Sequence, residues 1–428
     1  MSKDNNVVPI SWYGCFIWLL AILFFLYEYC VRMIPATISE HIIKDLNINT
    51  EQFALISSAY YIAYSAMQIP VGILLDRFGV RLFLSLASIV CSLGVFGFSI
   101  SDTFYDCIIS RFLTGLGSSF GFIGLLVITL NWFPHNHFGF LGGLAQLLGA
   151  TGPLLAGAPI IYLMQKTGND WHSIFWNISF IGIILFFLIA IFVRNKPKAN
   201  SGEIFFISKE LPLKKALKNL IKITHFWFVL PYAGLIYVSL PLMGAYWGTL
   251  YLETRSFDPS TAALIVSMCW VGLAIGSPII GRLSDHFKRR KPFLVILGVL
   301  GAIASFLIIM QPSQNSLVLS FLFFLLGFAS SGQSLSFATI VEQVPSELKA
   351  TAMGANNTAI MLLAAFLPPA ITIFIHPSGA DHPHFITSDF TISFLTMPLC
   401  YLLASLIALF CIKETFCRQQ NTVHYLSN

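Results

Sequence analysis

The chain has 428 residues, of which 56% are hydrophobic and 14% aromatic, and its mean hydropathy is +0.78. Charged residues make up only 10% of the chain, against roughly 25% in an ordinary soluble domain. This composition excludes a water-soluble fold, a disordered chain and a basic nucleic-acid-binding protein, because each of these needs more charge and less apolar surface. The eight Cys lie mostly in apolar stretches without CxxC pairs, so we interpret them as small core residues and expect no metal site.

Long apolar runs, bounded by Pro, Asn, Asp, Ser or charged residues, recur along the whole chain. A bilayer core about 30 Å thick needs roughly 20 apolar residues per helix, and twelve runs reach this length. We call them spans one to twelve, and their approximate bounds are 13–36, 52–75, 82–101, 104–130, 138–164, 173–193, 226–252, 262–283, 292–310, 316–341, 352–375 and 390–412. The sequence therefore predicts an all-α polytopic membrane protein with twelve transmembrane helices.

The basic residues predict the orientation of these helices. An even number of spans puts both termini on one side of the membrane, and most of the 24 Lys and Arg fall in loops on that side. Lys44, Lys166 and Arg255 fall on the opposite side. Because Lys and Arg concentrate in cytoplasmic loops, we expect both termini in the cytoplasm. Span one is too long for a signal-peptide core, so we also expect no cleavable leader.

The longest polar stretch, 194–225, divides the chain into two similar parts. From Leu211 to Ile223, Leu and Lys alternate at helical spacing, which is typical of an amphipathic helix on an anionic membrane surface. A merely solvated basic loop is the alternative. The predicted organisation is a six-helix half over 1–193, an amphipathic cytoplasmic linker over 194–225, and a second six-helix half with a short tail over 226–428.

A short motif recurs in the two predicted halves. The sequence GILLDRFGVR follows span two, and GRLSDHFKRR follows span eight. Three residue types repeat at a constant offset of 209 positions, in the pairs Gly72 and Gly281, Leu74 and Leu283, and Asp76 and Asp285. An internal repeat of this length indicates a duplicated unit of six spans.

On these motifs the chain resembles the major facilitator superfamily over essentially its whole length. The resemblance is carried by the GxLxDRxGxR loop, by its second copy, and by the RxxxGxG of Arg111, Gly115 and Gly117 in span four. It implies a bacterial carrier with two six-helix halves that rock about a midplane site. It also implies a cytoplasmic gate at the loop motif, built from Gly72, Asp76, Arg77, Arg81, Asp285 and Arg289.

The loop motif can also be analysed from its residues alone. Asp76, just beyond the hydrocarbon edge, can face a helix N-terminus or pair with Arg77 or Arg81. A turn whose charges only set the membrane topology is the alternative to a gate. These two interpretations lead to different roles for the same carboxylate.

Glu28, Arg32 and Arg111 are charged residues well inside the predicted spans, away from their ends. An ionisable group in the membrane is costly and indicates function. Glu28 and Arg32 are four residues apart, on one helical face and within pairing reach. Burial disfavours the carboxylate and Arg32 stabilises it, so a substrate anion that engages Arg32 should leave Glu28 ready to take up a proton.

Two alternatives stay open for these groups. Glu28 and Arg32 could form a structural ion pair without substrate contact. The resemblance implies substrate binding or proton relay for Arg111, whereas an arginine that packs by donating to backbone carbonyls is equally compatible with its position.

Neutral polar residues complete the predicted binding site. Tyr60, Tyr64 and Gln68 follow one another at four-residue spacing along span two and form a polar stripe. The remaining candidates for substrate or proton binding are Tyr27 in span one, Tyr246 and Trp247 in span seven, Gln333 in span ten, and Asn356 and Asn357 in span eleven. Span seven contains no basic residue to hold a dianion, so we expect a monoanion or zwitterion.

The predicted function is secondary transport. Without a GxxxxGK[ST] sequence, ATP does not drive transport directly, and we expect neither an enzyme activity nor a cofactor. The YxYxxxxxP pattern of span one resembles bacterial uptake carriers of amino acids and nucleosides, including phagosomal nutrient transporters. We expect a monomer that imports a small, amino-acid-like metabolite together with a proton across the bacterial inner membrane.

Two other functions remain as alternatives. One is proton-driven efflux of an amphipathic compound, and the other is a transporter-like sensor of a solute. The superfamily's antiporter motif GxxxGPxxG is displaced by one position at Gly149 and Gly157, which argues against efflux.

Overall fold

A computed structural model of the chain describes residues 10–168, 170–196, 218, 220–310, 315–372 and 387–419. All regular elements in these ranges are helical. Within these ranges, ten helical stretches, three of them interrupted, are long and apolar enough to cross a membrane, and two shorter apolar helices, Phe138–Gly149 and Thr396–Phe410, lie in spans five and twelve. The prediction of an all-α protein with many membrane spans is confirmed.

In the described part of the chain, seven spans are single helices. They are Trp12–Thr37 in span one, Thr50–Phe78 in span two, Val80–Ser99 in span three, Trp171–Phe192 in span six, Pro259–Phe287 in span eight, Lys291–Met310 in span nine and Lys349–Thr372 in span eleven. The short helix Ser39–Asp45 connects spans one and two. Several helices begin at a residue whose side chain accepts a backbone N–H of the first turn, among them Ser11, Asn49, Thr103, Asp170, Asp258 and Asn315. Such caps satisfy donors that have no partner inside the helix and so fix where the helix begins.

The other five spans are interrupted. Their segments are Phe104–Ser118 and Gly121–Trp132 in span four; Phe138–Gly149, Thr151–Ala156 and Ala158–Lys166 in span five; Thr224–Tyr237, Ser239–Pro241, the π-helical turn Leu242–Trp247 and Gly248–Glu253 in span seven; Ser316–Ser330 and Gly332–Glu342 in span ten; and Thr387–Phe394 and Thr396–Phe410 in span twelve. The 3-10 turns His135–His137 and Ser346–Leu348 precede spans five and eleven. Interrupted helices expose backbone groups, so the breaks are places where side chains or a ligand can bind the main chain.

The chain divides into two compact units. Unit 1 comprises Met1–Pro134, Leu148–Leu213 and Glu347–Gly354, and unit 2 comprises His135–Leu147, Lys214–Ser346 and Ala355–Asn428. Each unit therefore includes one short segment from the other half of the sequence. The amphipathic helix predicted from Leu211 to Ile223 lies largely outside the described residues.

The two units pair their helices in the same way. In unit 1, span two packs against span four and span three against span six. In unit 2, the corresponding spans eight and ten pack together, as do spans nine and twelve. Large apolar side chains such as Leu82, Ile184, Ile296 and Leu317 stay exposed on the helices, which is the surface expected against lipid and not against water.

Candidate functional site

Glu28 and Arg32 form a buried ion pair in unit 1. Arg32 Nη2 donates to Glu28 Oε2 at 2.8 Å, and the two residues are 8% and 0% exposed. Tyr60 joins them, because its hydroxyl donates to the same Glu28 oxygen at 3.0 Å and accepts from Arg32 Nε at 3.0 Å. The four-residue spacing in span one and the polar stripe of span two thus meet at one point.

Three tyrosine rings surround the guanidinium of Arg32. Its central carbon lies 4.4 Å from the ring centre of Tyr29, 4.7 Å from that of Tyr64 and 5.4 Å from that of Tyr60. Aromatic faces stabilise a cation, and the effect grows when the cation is withdrawn from water. We call Glu28, Arg32 and these three tyrosines the arginine cage.

The sequence prediction named Tyr27 for this region, but Tyr29 takes the place beside Arg32. Tyr29 and Arg32 are three residues apart and therefore on one helical face, whereas Tyr27 is turned away and packs beside Gly182 of span six. Applying the spacing rule to both tyrosines of the YEY sequence would have selected Tyr29.

One oxygen of the Glu28 carboxylate is left over. Oε2 accepts both hydrogen bonds described above, whereas buried Oε1 has no partner among the described residues. The side chain lies against Gly121, where a Cβ atom would come within 3.1 Å of Glu28 Cγ. Glu28 thus faces the break in span four with one oxygen that can accept a proton.

Arg111 bonds to the backbone of span one. Its Nη1 donates to the carbonyl of Val31 at 3.1 Å and its Nη2 to the carbonyl of Arg32 at 3.3 Å. Pro35 has no N–H to offer to the Val31 carbonyl four residues earlier, so Arg111 supplies the missing donor. Its guanidinium also lies 4.7 Å from the ring centre of Tyr60. Arg111 therefore positions the arginine cage through its bonds to the backbone of span one and its contact with Tyr60.

Gln68 supports the same region through the main chain. Its amide donates to the Tyr64 carbonyl at 3.1 Å and to the Ser119 carbonyl at 3.5 Å. Ser119 lies in the break of span four, where carbonyls lose their helical partners. Gln68 thus stabilises the main chain at the break in span four, next to Glu28.

The neutral candidates of unit 2 lie on buried helix faces. Gln333, Asn356 and Asn357 are almost fully buried. Gln146 of span five, which the sequence prediction omitted, donates to Gln333 Oε1 at 3.5 Å. An amide inside an otherwise apolar span was the clue that could have selected it.

Span seven contributes its π-helical turn, Leu242–Trp247. Trp247 packs against Phe390, with ring centres 5.9 Å apart. Tyr246 belongs to the same turn, but its side chain lies outside the described part of the structure. Single π-turns inside helices often mark functional positions.

In unit 1 the loop motif docks onto the start of span eleven. Asp76 accepts from the backbone N–H groups of Ala350 and Thr351 at 2.9 and 2.7 Å, and from the Thr351 hydroxyl at 2.6 Å. Any side chain at Gly72 would clash with the backbone of Ala350 and Thr351. The sequence allowed Asp76 either to face a helix N-terminus or to pair with Arg77 or Arg81, and the structure shows the first arrangement.

The predicted partners of Asp76 lie elsewhere. Arg81 donates through its side chain to the Ala190 carbonyl at 2.8 and 3.2 Å, and its backbone N–H donates to Asn195. The guanidinium of Arg77 lies over the ring of Phe78. Arg81 therefore binds the end of span six, and Arg77 packs on the surface of span two.

The second copy of the motif has the same helix contact with an ion pair added. Asp285 accepts from the backbone N–H of Phe140 at 2.8 Å, at the start of span five, and pairs with Arg290 at 2.7 Å. Arg290 also binds Glu342 at 2.7 Å. The guanidinium of Arg289, which the sequence prediction had named, instead lies over the ring of Phe416.

Arg290 stays charged in this buried setting. Burial alone would lower the pKa of its guanidinium, but the carboxylates of Glu342 and Asp285 outweigh it and raise that pKa above its ordinary value. The tail after span twelve adds Glu414, which accepts from the backbone N–H groups of Arg290 and Lys291 at 2.8 and 3.1 Å. We call Asp285, Arg290, Glu342 and Glu414 the charge cluster.

These geometries agree with a comparison against known protein families. The model of the Major Facilitator Superfamily matches residues 20–369. The chain belongs to this superfamily. The recognition based on the loop motif and its repeat is thereby confirmed.

Individual members are similar to the chain along most of its length. The Bacillus subtilis protein named uncharacterized transporter YybO is 22% identical, with 90% of this chain and 91% of that protein aligned. The probable galactarate/D-glucarate transporter GudP of the same organism is 23% identical, over 89% and 90% of the two chains. The structure of the proton:xylose symporter XylE superposes with a TM-score of 0.74 at 16% identity, covering 98% of this chain and 100% of that one.

Membership defines the class of activity. The chain is a multi-pass membrane protein and a transporter of solutes. What its own residues add is a caged arginine paired with a carboxylate that has a spare oxygen, at the break of a membrane helix. That arrangement can bind an anion and a proton.

Proposed function

We propose that this major facilitator imports a small organic monoanion or zwitterion together with a proton, by alternating access across the bacterial inner membrane, with both termini in the cytoplasm. The observation that carries the proposal is the arginine cage of unit 1. Arg32 is the cation for a substrate carboxylate, and Glu28 is the proton acceptor. Secondary carriers of this type place such groups at the midplane of the membrane.

Coupling follows from the shared hydrogen bonds. In the absence of substrate, Arg32 and Tyr60 stabilise the charge of Glu28 through one oxygen. A substrate carboxylate that draws Arg32 away leaves a buried carboxylate with weaker compensation, which is costly unless it is protonated. The spare oxygen of Glu28 then takes the proton. Anion and proton bind together because each lowers the cost of burying the other.

The comparisons support the chemistry of this proposal. GudP is named for galactarate and D-glucarate, which carry two carboxylates each, so it supports a carboxylate substrate but not the single charge. XylE is a proton:xylose symporter, which supports proton coupling. A single caged arginine matches one carboxylate better than two, because Arg111 uses its terminal nitrogens on backbone carbonyls. We therefore favour a singly charged substrate, and we propose that the transporter works as a monomer.

The test is Glu28→Gln in proteoliposomes. The variant keeps the shape of the side chain and an acceptor for Arg32, but it cannot take up a proton. We expect accumulation driven by a proton gradient to be lost, whereas exchange of labelled for unlabelled substrate continues. A variant that still concentrates substrate against its gradient would show that Glu28 forms only a structural pair with Arg32.

A further inference from the structure

The connector between spans one and two is bound to the rest of unit 1 around His172. The connector helix Ser39–Asp45 ends at a carboxylate, and Asp45 Oδ2 accepts from Trp171 Nε1 at 3.1 Å. The same oxygen lies 3.1 Å from His172 Nε2, and His172 Nδ1 lies 2.9 Å from the Ser99 carbonyl oxygen. The contact therefore joins the connector to the start of span six and the end of span three. We call Asp45, Trp171, His172 and the Ser99 carbonyl the histidine clasp.

The hydrogen bonds of His172 require a hydrogen on both ring nitrogens. A carbonyl oxygen can only accept, so Nδ1 donates to Ser99. Nε2 faces the carboxylate of Asp45, and an ionised carboxylate also only accepts. A neutral imidazole carries one hydrogen, so it would place the lone pair of Nε2 against this oxygen. The pair of His172 and Asp45 therefore holds one proton more than a neutral histidine beside a carboxylate.

The aromatic neighbour favours that proton on the ring of His172. The imidazole stacks on the Trp171 indole with ring centres 3.7 Å apart, and the face of a tryptophan ring stabilises a cation. Trp171 is itself buried and packs against Phe98, with ring centres 5.4 Å apart. The Asp45 side chain, in contrast, is 54% exposed, so its carboxylate is hydrated and suited to stay ionised. The clasp thus contains an imidazolium.

We infer that His172 and Asp45 form a proton-binding site, distinct from Glu28, that holds the connector against spans three and six only in its protonated state. The proton comes directly from solvent, because the His172 side chain is 31% exposed. The inference stands without the proposed function, since it concerns neither the substrate nor Glu28. With the orientation proposed above, this end of unit 1 faces the outside, and the clasp then responds to the external pH.

The connector joins the two helices that build the arginine cage. Span one carries Glu28 and Arg32, span two carries Tyr60, and the connector determines how the ends of these helices meet. When His172 loses its proton, Nε2 no longer donates, and Asp45 is left with the bond from Trp171. Histidine is the side chain whose charge ordinarily changes between about pH 5 and 8. The clasp is therefore closed in acid and weakens as the pH rises.

Other groups near the clasp are in contact with solvent. Further charged or titratable side chains on the connector and next to Ser99 and Trp171 are exposed, namely Glu40, His41, Lys44, Asp102, Lys166 and Asp170. The positive end of span six opposes a cation on His172, whereas Asp45 and Trp171 favour it. Replacing either His172 or Asp45 by a neutral amide should therefore abolish the response to pH.

Hydrogen–deuterium exchange of the purified full-length protein measures the clasp directly. Peptides that cover residues 38–48 are followed at about pH 5.5 and about pH 8, and each rate is corrected for the intrinsic effect of pH on exchange. Local opening of a segment makes its amides exchange faster. Loss of one partly exposed hydrogen bond between charged groups should make these peptides exchange about fivefold faster at the higher pH.

Two variants assign this step to the clasp. In His172→Gln the amide donates at every pH, and in Asp45→Asn the amide can donate to Nε2 of a neutral imidazole. Both variants should therefore exchange equally at the two pH values, and each is a sufficient test if the other does not fold. The matched control is His41→Gln, which removes an exposed histidine of the same connector and should keep the fivefold step.

The outcomes separate this site from the proposed function. A wild-type connector whose exchange is the same at both pH values overturns the inference, and so does a step that survives in His172→Gln and Asp45→Asn or disappears in His41→Gln. Glu28→Gln should show the full step; its loss there would mean that the connector responds to Glu28 and not to His172. Because exchange is measured without transport, failure of the clasp leaves the proposed function standing, and failure of the proposed function leaves the clasp standing.

Discussion

Two kinds of neighbour act on the charge of buried Arg32. Glu28 neutralises it, and the three rings stabilise it without neutralising it. An aromatic face cannot be protonated and does not compete with an incoming carboxylate for the same N–H groups. In the proposed mechanism, the rings would therefore keep Arg32 charged while a substrate carboxylate replaces that of Glu28.

This balance predicts that lysine cannot replace Arg32. Arg32 reaches Glu28 and Tyr60 through two nitrogens of a planar group, whereas a lysine carries its three N–H groups on one nitrogen, without that fixed geometry, and it stacks less well on the rings. We expect Arg32→Lys to raise the apparent KM for substrate about tenfold or more in proteoliposome uptake.

Arg255→Lys provides the matched control for that measurement. Arg255 is likewise buried, lies 5.7 Å from the ring centre of Tyr251 and donates to the Ile308 carbonyl at 3.2 Å. Its KM should equal that of the wild type. Equal shifts in both variants would mean that any buried arginine matters for the fold and that Arg32 has no special contact with substrate.

At this scale the sequence predicts contacts that lie within one helix and misses those between helices. The pairing of Glu28 with Arg32 follows from their spacing alone. The bonds of Arg111 to the carbonyls of Val31 and Arg32 depend on how span four meets span one, and the proline that creates the need for a donor lies 76 positions away in the sequence. Only the tertiary structure brings the two together.

Among the secondary-structure elements, the docking of each loop motif on a helix N-terminus is the most specific contact. The first N–H groups of a helix have no internal partner and carry partial positive charge. Asp76 satisfies two of them in span eleven, and Asp285 satisfies one in span five. Gly281, like Gly72, lies where a side chain would clash with the opposing backbone, here that of Gly139.

We predict that Asp76→Asn destabilises unit 1. The amide keeps one acceptor oxygen, but its NH₂ group faces an N–H donor of span eleven, so at least one hydrogen bond is lost. The cost should be about 1–3 kcal/mol, visible as a lower thermal midpoint of the purified protein.

Asp106→Asn serves as the control for this loss. Asp106 is exposed in the first turn of span four, and its side chain accepts from Thr103, so its replacement should change stability by no more than about 0.5 kcal/mol. If both variants lower the midpoint equally, the docking of Asp76 contributes nothing beyond its charge.

Hydropathy alone could not predict where the helices end or break. Counting apolar residues finds the spans, because the bilayer sets their length. The interruptions in spans four and ten fall at Ser-Ser pairs inside the predicted spans, at Ser119 and Ser331, where no proline occurs. They persist because neighbouring helices supply partners for the freed main chain, as Gln68 does for Ser119.

In the molecule as a whole, both copies of the duplicated loop motif contact a helix N-terminus, but they bury different amounts of charge. Arg81 and Arg290 occupy the same motif position, 209 residues apart. Arg81 is exposed and binds a backbone carbonyl, whereas Arg290 is fully buried between two carboxylates and its backbone N–H donates to Glu414 of the chain's tail. Each unit thus packs its loop motif against a helix N-terminus, and the energetic difference lies in the charge buried beside it.

The last prediction compares these two arginines directly. Arg290→Ala leaves Asp285 and Glu342 buried without their cation, and breaking a buried ion pair from one side typically costs about 3–5 kcal/mol. Arg81→Ala removes an exposed donor and should cost less than about 1 kcal/mol. Thermal midpoints of the two purified variants measure the difference, and Arg290→Met, which fills the space without charge, shows how much of it is packing. Equal losses for both alanine variants would mean that the two copies of the motif are energetically equivalent and that the charge cluster adds no stability of its own.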